Sequence, residues 1–433
     1  MKLHIEKMVY GGEGLARWQS GETARSKTAF VPFVLEDEWV EAEIVQDRGS
    51  FVRARLQEIQ TPSPHRIAPA CPYFQSCGGC HYQHSSYEHQ LSIKERILRE
   101  ALLRIAKLDW QTPVHIHSAS PWNYRNRTRL HLGSVEGSRR MGYYRFGSHQ
   151  LLAIQECPIS SFLINRAIKA LGEGDLTGIP GDALEVEFFV NGEDTRLLLE
   201  IYSGNRSARV QEAEVQKAFE QLKQRLPELG GATLFGMDIQ QPHSSKRLYT
   251  WGDSALQYEV AGHDYQVSSG SFFQVNRLLA RELIAAALHN KQGRVAVDLY
   301  AGVGLFSLAM AKSFDQVIAV EAAPQSSADL IVNARNKNIR VIEATTEDYL
   351  HRKRPHIPDF VLVDPPRSGL GKDACRALAT LQPKQLTYVS CDPSTLSRDL
   401  LLLLHSGYRV EEIHLLDLFP QTLHLESVVH LSI

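Results

Sequence analysis

The last third of the chain constrains the fold most. Arg294 to Leu299 reads as a buried strand, and Asp298-Leu299-Tyr300-Ala301-Gly302-Val303-Gly304 turns directly into an apolar helix, Leu305 to Ala311. A second strand, Gln316 to Val320, ends in Glu321, and Asn333 closes the helix that follows. Arg340 to Ile342, Phe360 to Val363 and Leu386 to Val389 are further short apolar runs. Strands alternating with helices predict a doubly wound, Rossmann-like parallel sheet. The late pair Tyr408 to Leu416 and Leu425 to Leu431, joined across Phe419-Pro420-Gln421-Thr422, predicts an antiparallel hairpin appended to it. In such sheets ligands bind beyond the carboxyl ends of the strands. The chemistry-bearing breaks fall there: Gly302 and Gly304, Glu321, Asp364-Pro365-Pro366-Arg367, and Cys391-Asp392-Pro393.

Two of those breaks suggest chemistry. Gly302 and Gly304 begin a dinucleotide-type turn, but Ser307 stands where its third glycine belongs. A turn with no pyrophosphate to cradle, followed by an acid at the end of the next strand, suits S-adenosylmethionine, with Glu321 on the ribose hydroxyls; the plainer reading of Glu321 is a strand-end charge. Cys391 ends a β-prone run and precedes a helical pattern from Ser394 to Leu404. A sulfur beside a helix N-terminus is expected to be favoured as thiolate, hence a nucleophile, the alternative being a buried structural cysteine.

At 433 residues the chain exceeds one comfortable core, so two or three domains are expected. Hydrophobic residues make up 43% and charged residues 22%, an ordinary globular balance, and the net charge of −2 announces no nucleic acid by itself. The start, Met1 to Lys7, has no apolar leader, and the longest aliphatic run, Leu400 to Leu404, is far too short to span a bilayer, so the expected location is cytoplasmic, away from membranes. Residues 1–62 carry β-like runs at Lys2 to Tyr10, Thr28 to Val34, Trp39 to Val45 and Val52 to Leu56, separated by Gly11-Gly12-Glu13-Gly14 and similar breaks. This spacing predicts a five-stranded barrel of the oligonucleotide-binding (OB) type, followed by a Thr61-Pro62-Ser63-Pro64 linker.

Residues 63–262 predict a central α+β domain and 263–433 the α/β domain, with an amphipathic helix around 91–106 able to pack on the latter and its charges facing solvent. Cys71, Cys77 and Cys80 sit in Cys-x5-Cys-x2-Cys, with Cys157 later. In a reducing compartment this suggests a metal site rather than disulfides, and Gly78-Gly79 suits an iron–sulfur cluster better than zinc. His81, His84 and His89 lie nearby and read as surface histidines beside a helix, the alternative being further metal ligands. Between Pro121 and Gln150, Arg125, Arg127, Arg129, Arg139, Arg140 and Arg145 stand against the single acid Glu136, interleaved with Trp122, Tyr124, Tyr143, Tyr144 and Phe146. Such a stretch is an RNA surface or simply the polar face of a hairpin. Val210 to Arg225 reads as a helix, and Ala183 to Val190, Thr195 to Tyr202 and Leu234 to Ile239 as strands.

Taken together, Cys-x5-Cys-x2-Cys with Cys157, Ser271-Phe272-Phe273-Gln274-Val275-Asn276, Asp364 to Leu370, Ser390-Cys391-Asp392-Pro393 and His424-Leu425-Glu426-Ser427-Val428-Val429 resemble the RNA uracil-C5 methyltransferase family over nearly the whole chain. The resemblance is nearest to bacterial 23S ribosomal RNA enzymes with an N-terminal TRAM domain and a [4Fe-4S] cluster. It implies Cys391 as nucleophile and Glu426 as base. It also implies that Gln274, Tyr300, Gly302, Gly304, Glu321 and Asp364 serve S-adenosylmethionine or the base, that Cys71, Cys77, Cys80 and Cys157 hold the cluster, and that Phe272 and Arg367 lie near RNA. Leu305 and Thr345 depart from the asparagines the pattern leads one to expect. A transfer RNA substrate and, from another class, a non-catalytic RNA-binding or assembly factor are the competing readings. Cys375 has no evident role, and a monomer is the simplest expectation.

Overall fold

A computed structural model describes residues 1–19, 26–173, 176, 179–204, 212–238, 241–352 and 357–433. Five strands, Lys2–Val9, Glu13–Trp18, Lys27–Pro32, Trp39–Asp47 and Phe51–Thr61, close into a barrel. Alternation sends Leu3, Ile5, Ala16, Ala29, Val31, Val40, Ala42, Val52 and Ala54 inward. Glu13–Trp18 occupies a stretch whose glycines read as a break. Gly14 is in fact an interior strand position: a Cβ there would lie 2.4 Å from a Val34 methyl and 2.7 Å from an Ile5 methyl.

The central sheet has seven strands, in the spatial order Gln241–Gly252, Leu229–Asp238, Leu197–Ser203, Ala183–Val190, Arg127–Val135, Ser138–Tyr144, Leu151–Ala153. Helices Phe162–Glu173 and Glu212–Arg225 pack on it through Leu163, Ile164, Ile168, Phe219 and Leu222. Residues 210 and 211 of the expected helix, and Ile239 of the expected strand, lie outside the described residues.

The third sheet has eight strands. Ile339–Glu343, Phe314–Glu321, Gly293–Leu299, Phe360–Val363 and Gln385–Ser390 lie parallel in that order, followed by Glu426–Ser432, Arg409–Leu416 and His115–His117. The strand order reverses between Gly293–Leu299 and Phe360–Val363, which is where an open α/β sheet offers its crevice. The last hairpin is appended to the parallel strands as expected, and His115–His117 lies beyond it. Glu426–Ser432 is inserted between Gln385–Ser390 and Arg409–Leu416, antiparallel to both. Its first six residues are buried, and such a strand is stable only with neighbours on both sides and cover on both faces.

Helix Tyr87–Ala101, continued by a wide π turn over Leu102–Ala106, packs Ile93, Ile97, Leu98 and Leu102 into the same core as Tyr388, Leu396, Leu400 and Leu403. Not all its charges face water. Lys94 is fully buried, donating to Asp417 at 2.6 Å and to the Phe419 carbonyl at 3.0 Å, and so pins the loop that leads into the last strand. No described helix is long and apolar enough to cross a membrane.

Candidate active site

Register brings the two candidate catalytic groups together. Ser390 pairs with Ser427, so Cys391, just past one strand, and Glu426, at the start of its neighbour, meet at the same end of the sheet. Phe360–Val363 is the strand on the other side of Gln385–Ser390, and it delivers Asp364 to that end as well. Glu426 is buried. Burial, then the Asp364 charge, raise its carboxyl well above the ordinary range, while Arg367 opposes the shift. Asp364, pushed up to about 7 by burial and by Asp298, belongs to the same cluster of acids.

The Cys391 thiol is pushed up to about 12, first by burial and then by the Glu426 charge, with Arg367 opposing. This corrects the expectation of a thiolate favoured by the helix N-terminus. The side chain of Asp392 caps helix Pro393–His405, one carboxylate oxygen accepting the Ser394 and Thr395 amides at 2.9 Å each. The helix dipole is thus spent on Asp392, and the sulfur meets carboxylates instead. The same helix holds the Asp-Pro-Pro-Arg loop: Thr395 Oγ1 donates to the Arg367 carbonyl at 3.1 Å, and Arg398 donates to the Ser368 carbonyl at 2.8 Å. Asp399, fully buried and missed in the sequence, accepts from the Leu370 amide at 2.7 Å and from the Tyr388 hydroxyl at 2.9 Å. A carboxylate inside a leucine-rich helix was its only sequence signal. Cys375 is buried in the core of this layer.

Beside this cluster lies a cradle fit for a nucleoside-bearing cofactor. Tyr300 has φ +64°, Gly302 +56° and Gly304 +98°, so the turn bends back through the left-handed region. A Cβ on Gly304 would press on Leu330 at 2.7 Å, whereas one on Gly302 would point into open space, the side left for a ligand. Glu321 accepts from the Gly302 amide at 2.8 Å and the Ala323 amide at 2.6 Å, which fixes a carboxylate at the mouth of that turn. Asp298 is buried, bonded by Ser307, and has one oxygen without a partner among the described residues; burial pushes its carboxyl up to about 7. Ser307, at the missing third glycine, therefore has a structural duty. Gln274 is buried on a loop anchored by Asn126, which donates to the Gln274 carbonyl at 2.9 Å, and by Asn276, which donates to the Leu418 carbonyl at 3.1 Å. The adjacent Phe272 is 65% exposed. Thr345 caps helix Thr346–His351, accepting from the Asp348 amide at 3.1 Å, and Leu305 is buried, so both departures from the family pattern have roles in the fold.

Cys71, Cys77, Cys80 and Cys157, all free, line one cavity of about 370 Å³ that also reaches Arg125, Arg367 and His424. Burial raises the Cys77 thiol to about 11 and the Cys80 thiol to about 12, and neighbouring cysteines add to both shifts. Four free thiols converging on one cavity, with Gly78 and Gly79 in its wall, fit an all-sulfur metal centre. The nearby histidines are not surface residues. His84 is buried against the Val34 carbonyl at 3.2 Å, and His89 is buried, stacked on His65 at 4.0 Å. A second cluster, Glu412, His414 and His430, lies on the last two long strands. Both His430 nitrogens are already engaged, by Thr387 and by the Ala286 carbonyl, each at 2.9 Å, so the ring reads as a packed core histidine.

A model of the tRNA (uracil-5-)-methyltransferase family matches residues 86–433. The chain belongs to this family. It is an S-adenosylmethionine-dependent RNA uracil-5 methyltransferase, and the non-catalytic reading falls away. An uncharacterized RNA methyltransferase of Aquifex aeolicus is 32% identical over all of this chain and 98% of its own length, and one from Clostridium acetobutylicum is 30% identical over 99% and 96%. Among solved structures, the Pyrococcus abyssi tRNA (uracil-54, C5)-methyltransferase in complex with S-adenosyl-L-homocysteine superposes with a TM-score of 0.75 at 22% identity, covering 100% of both chains, a likeness of fold.

The arginines of this methyltransferase divide. Arg127, read as an RNA contact, is buried and bound to Glu187 and, at 2.8 Å, to Glu200; it also donates to the Ser271 carbonyl, bracing the Gln274 loop. Arg139 donates to the carbonyls of Ile179, Pro180 and Ala183, and Arg125 to the Arg127 carbonyl at 3.0 Å. Arg127 and Arg139 are thus claimed by acids and carbonyls of neighbouring segments, whereas Arg125, half-buried, braces its own segment and lines the cysteine cavity. Arg129 is exposed but paired with Glu185 and Glu187 and laid over the Tyr202 ring at 4.0 Å. Arg140 and Arg145 are exposed, the latter beside Tyr144, Phe146 and a groove that Gly78 and Gly79 also line.

Proposed function

We propose that this methyltransferase modifies C5 of a uridine in 23S ribosomal RNA, with Cys391 as nucleophile and Glu426 as base. The register that sets Glu426 beside Cys391, with Asp364 next to both, carries the mechanistic reading. Uracil C5 is too weak a nucleophile to take a methyl group unaided. The Cys391 thiol proton passes to solvent and the thiolate sulfur bonds to C6, which moves the C5–C6 π electrons onto C4 and O4 as an enolate. Gln274, Tyr300, Gly302, Gly304 and Glu321 would hold S-adenosylmethionine, which would supply an electrophilic methyl. C5 bonds to that methyl as the sulfonium–methyl bond breaks. A Glu426 carboxylate oxygen then takes the C5 proton, the C5–C6 double bond re-forms, and the C6–sulfur bond breaks to release the Cys391 thiolate.

Burial opposes ionisation of both Cys391 and Glu426, and Arg367 is the cation that favours the ionised form of each. The target base must leave its stack to enter between them. Cys71, Cys77, Cys80 and Cys157 would hold a [4Fe-4S] cluster that cross-links the central domain; uracil addition needs no redox step. Arg140, Arg145, Phe272 and Arg367 remain the candidates for RNA contact.

The ribosomal assignment rests on the pairing of an OB-like barrel of TRAM type with the four-cysteine cavity. Transfer RNA is the second reading, favoured by the end-to-end fold likeness to the Pyrococcus abyssi enzyme. Protein purified without oxygen, offered unmodified 23S transcript and unmodified transfer RNA separately, distinguishes them by nucleoside mass spectrometry. Formation of 5-methyluridine in the ribosomal transcript alone is expected. Formation in transfer RNA alone would move the substrate and keep the chemistry.

A further inference from the structure

The barrel reaches the catalytic loop through Tyr10. Tyr10, at the end of the barrel's first strand, donates its hydroxyl to Asp392 Oδ2 at 2.9 Å, across 382 residues of sequence. The other Asp392 oxygen is the one that caps helix Pro393–His405, so the two bonds together leave the carboxylate one orientation. The turn that presents Tyr10 is built for close approach. Gly11 and Gly12 have φ +114° and +78°, and a Cβ on Gly12 would stand 3.0 Å from the His81 ring. His81 in turn donates its amide to the Gln421 carbonyl at 2.8 Å, in the loop that leads to Glu426. The Tyr10 ring packs against the same core as Leu396 and Tyr388, so only its hydroxyl is spent on the acid.

We propose that the barrel is a working part of the active site: Tyr10 is a positioning residue that, through Asp392, sets the orientation of the Cys391 loop and mutes the Asp392 charge felt by the sulfur. The inference rests on Cys391 being the nucleophile. Burial raises the Tyr10 phenol out of the titrating range, so it remains a donor at every working pH. Cys391 is faced by Glu426 from the last strand, by Asp364 and Arg367 from the neighbouring loop, and by Asp392 from its own. Of these, Asp392 is the charge that the barrel modulates. RNA gripped by the barrel would thereby be coupled to the loop that attacks it.

Tyr10→Phe removes the hydroxyl and keeps the ring. The expected result is a fall in kcat of about tenfold, the scale of one hydrogen bond to a charged group, with KM for RNA unchanged. Alkylation of Cys391, followed by peptide mass spectrometry, should shift to higher pH, because an unmuted Asp392 disfavours the thiolate. In an Asp392→Asn background the same substitution should leave the alkylation profile where Asp392→Asn alone puts it. An unchanged kcat and profile in Tyr10→Phe, a rise in KM alone, or an additive shift in the double variant would each overturn the proposal. Full activity of Cys391→Ala would instead sink the nucleophile assignment on which it rests, so the two failures are told apart.

Discussion

The carboxyl end of the eight-stranded sheet and the arginine-rich hairpin of the central sheet both announced themselves in the sequence, and they fared differently. At the sheet end, Cys391, Asp364 and Glu426 converge. In the hairpin, Arg127 is buried on Glu187 and Glu200 and Arg139 is held by three backbone carbonyls, whereas Arg129, Arg140 and Arg145 are exposed. The signal at the sheet end was positional: a functional residue at the point where a strand stops is committed to one place by backbone geometry. The signal in the hairpin was compositional. An arginine on a strand faces whatever the neighbouring strand supplies, and Ala183–Val190 supplies Glu185 and Glu187.

Substitutions at the two regions should therefore fail in different ways. Cys391→Ala should lower turnover by about four orders of magnitude or more with the fold intact, as loss of a covalent nucleophile does, read by single-turnover methyl transfer. Glu426→Gln should cost about 10²- to 10⁴-fold and leave an RNA–protein adduct that survives denaturing electrophoresis, because addition and methyl transfer precede the step it blocks. In the hairpin, Arg127→Met strands Glu200 in the interior and should cost about 3–5 kcal/mol in urea unfolding. Weakened RNA binding at unchanged stability would restore it to the RNA surface. Arg145→Ala should do the converse, lowering the slope of log affinity against log salt by about 1 while stability stays put.

The carboxylates of the two regions also have opposite linkage to pH. The folded pKa of Asp364 is raised to about 7, so its contribution to stability is full below its unfolded value, near 4, and is lost as pH rises through 7. Asp364→Asn should thus be more stable than wild type at pH 8, the gap closing by about pH 4. Glu187 is the reverse case. Arg127 and Arg129 outweigh its burial and depress its pKa, so its contribution is present above the unfolded value of about 4.3 and is lost as pH falls through the folded value. Comparing urea midpoints of Asp364→Asn, Glu187→Gln and wild type across this range checks both signs.

Much of the fold was legible because apolar period and punctuation agreed. The parallel strands, the turn at Gly302 and the barrel followed from them. What escaped was set by tertiary contact. Glu13–Trp18 hid behind Gly14, whose missing side chain is a packing requirement. The place of Glu426–Ser432 inside the sheet depends on burial of both faces, which periodicity does not order among strands. Lys94, Asp399 and Tyr10 are ordinary polar letters whose partners lie 323, 11 and 382 residues away. For Cys391 the sequence showed the helix N-terminus but not that Asp392 would occupy it.

The central claim is that Cys391 activates uracil for methylation at C5. RNA bearing C5-tritiated uridines, incubated with S-adenosylmethionine labelled in its methyl group, tests it in one assay with wild type and Cys391→Ala. Tritium release matched by methyl incorporation in the wild type, with both abolished in the variant, is the predicted result. Methyl incorporation without tritium loss, or undiminished release by Cys391→Ala, would contradict it.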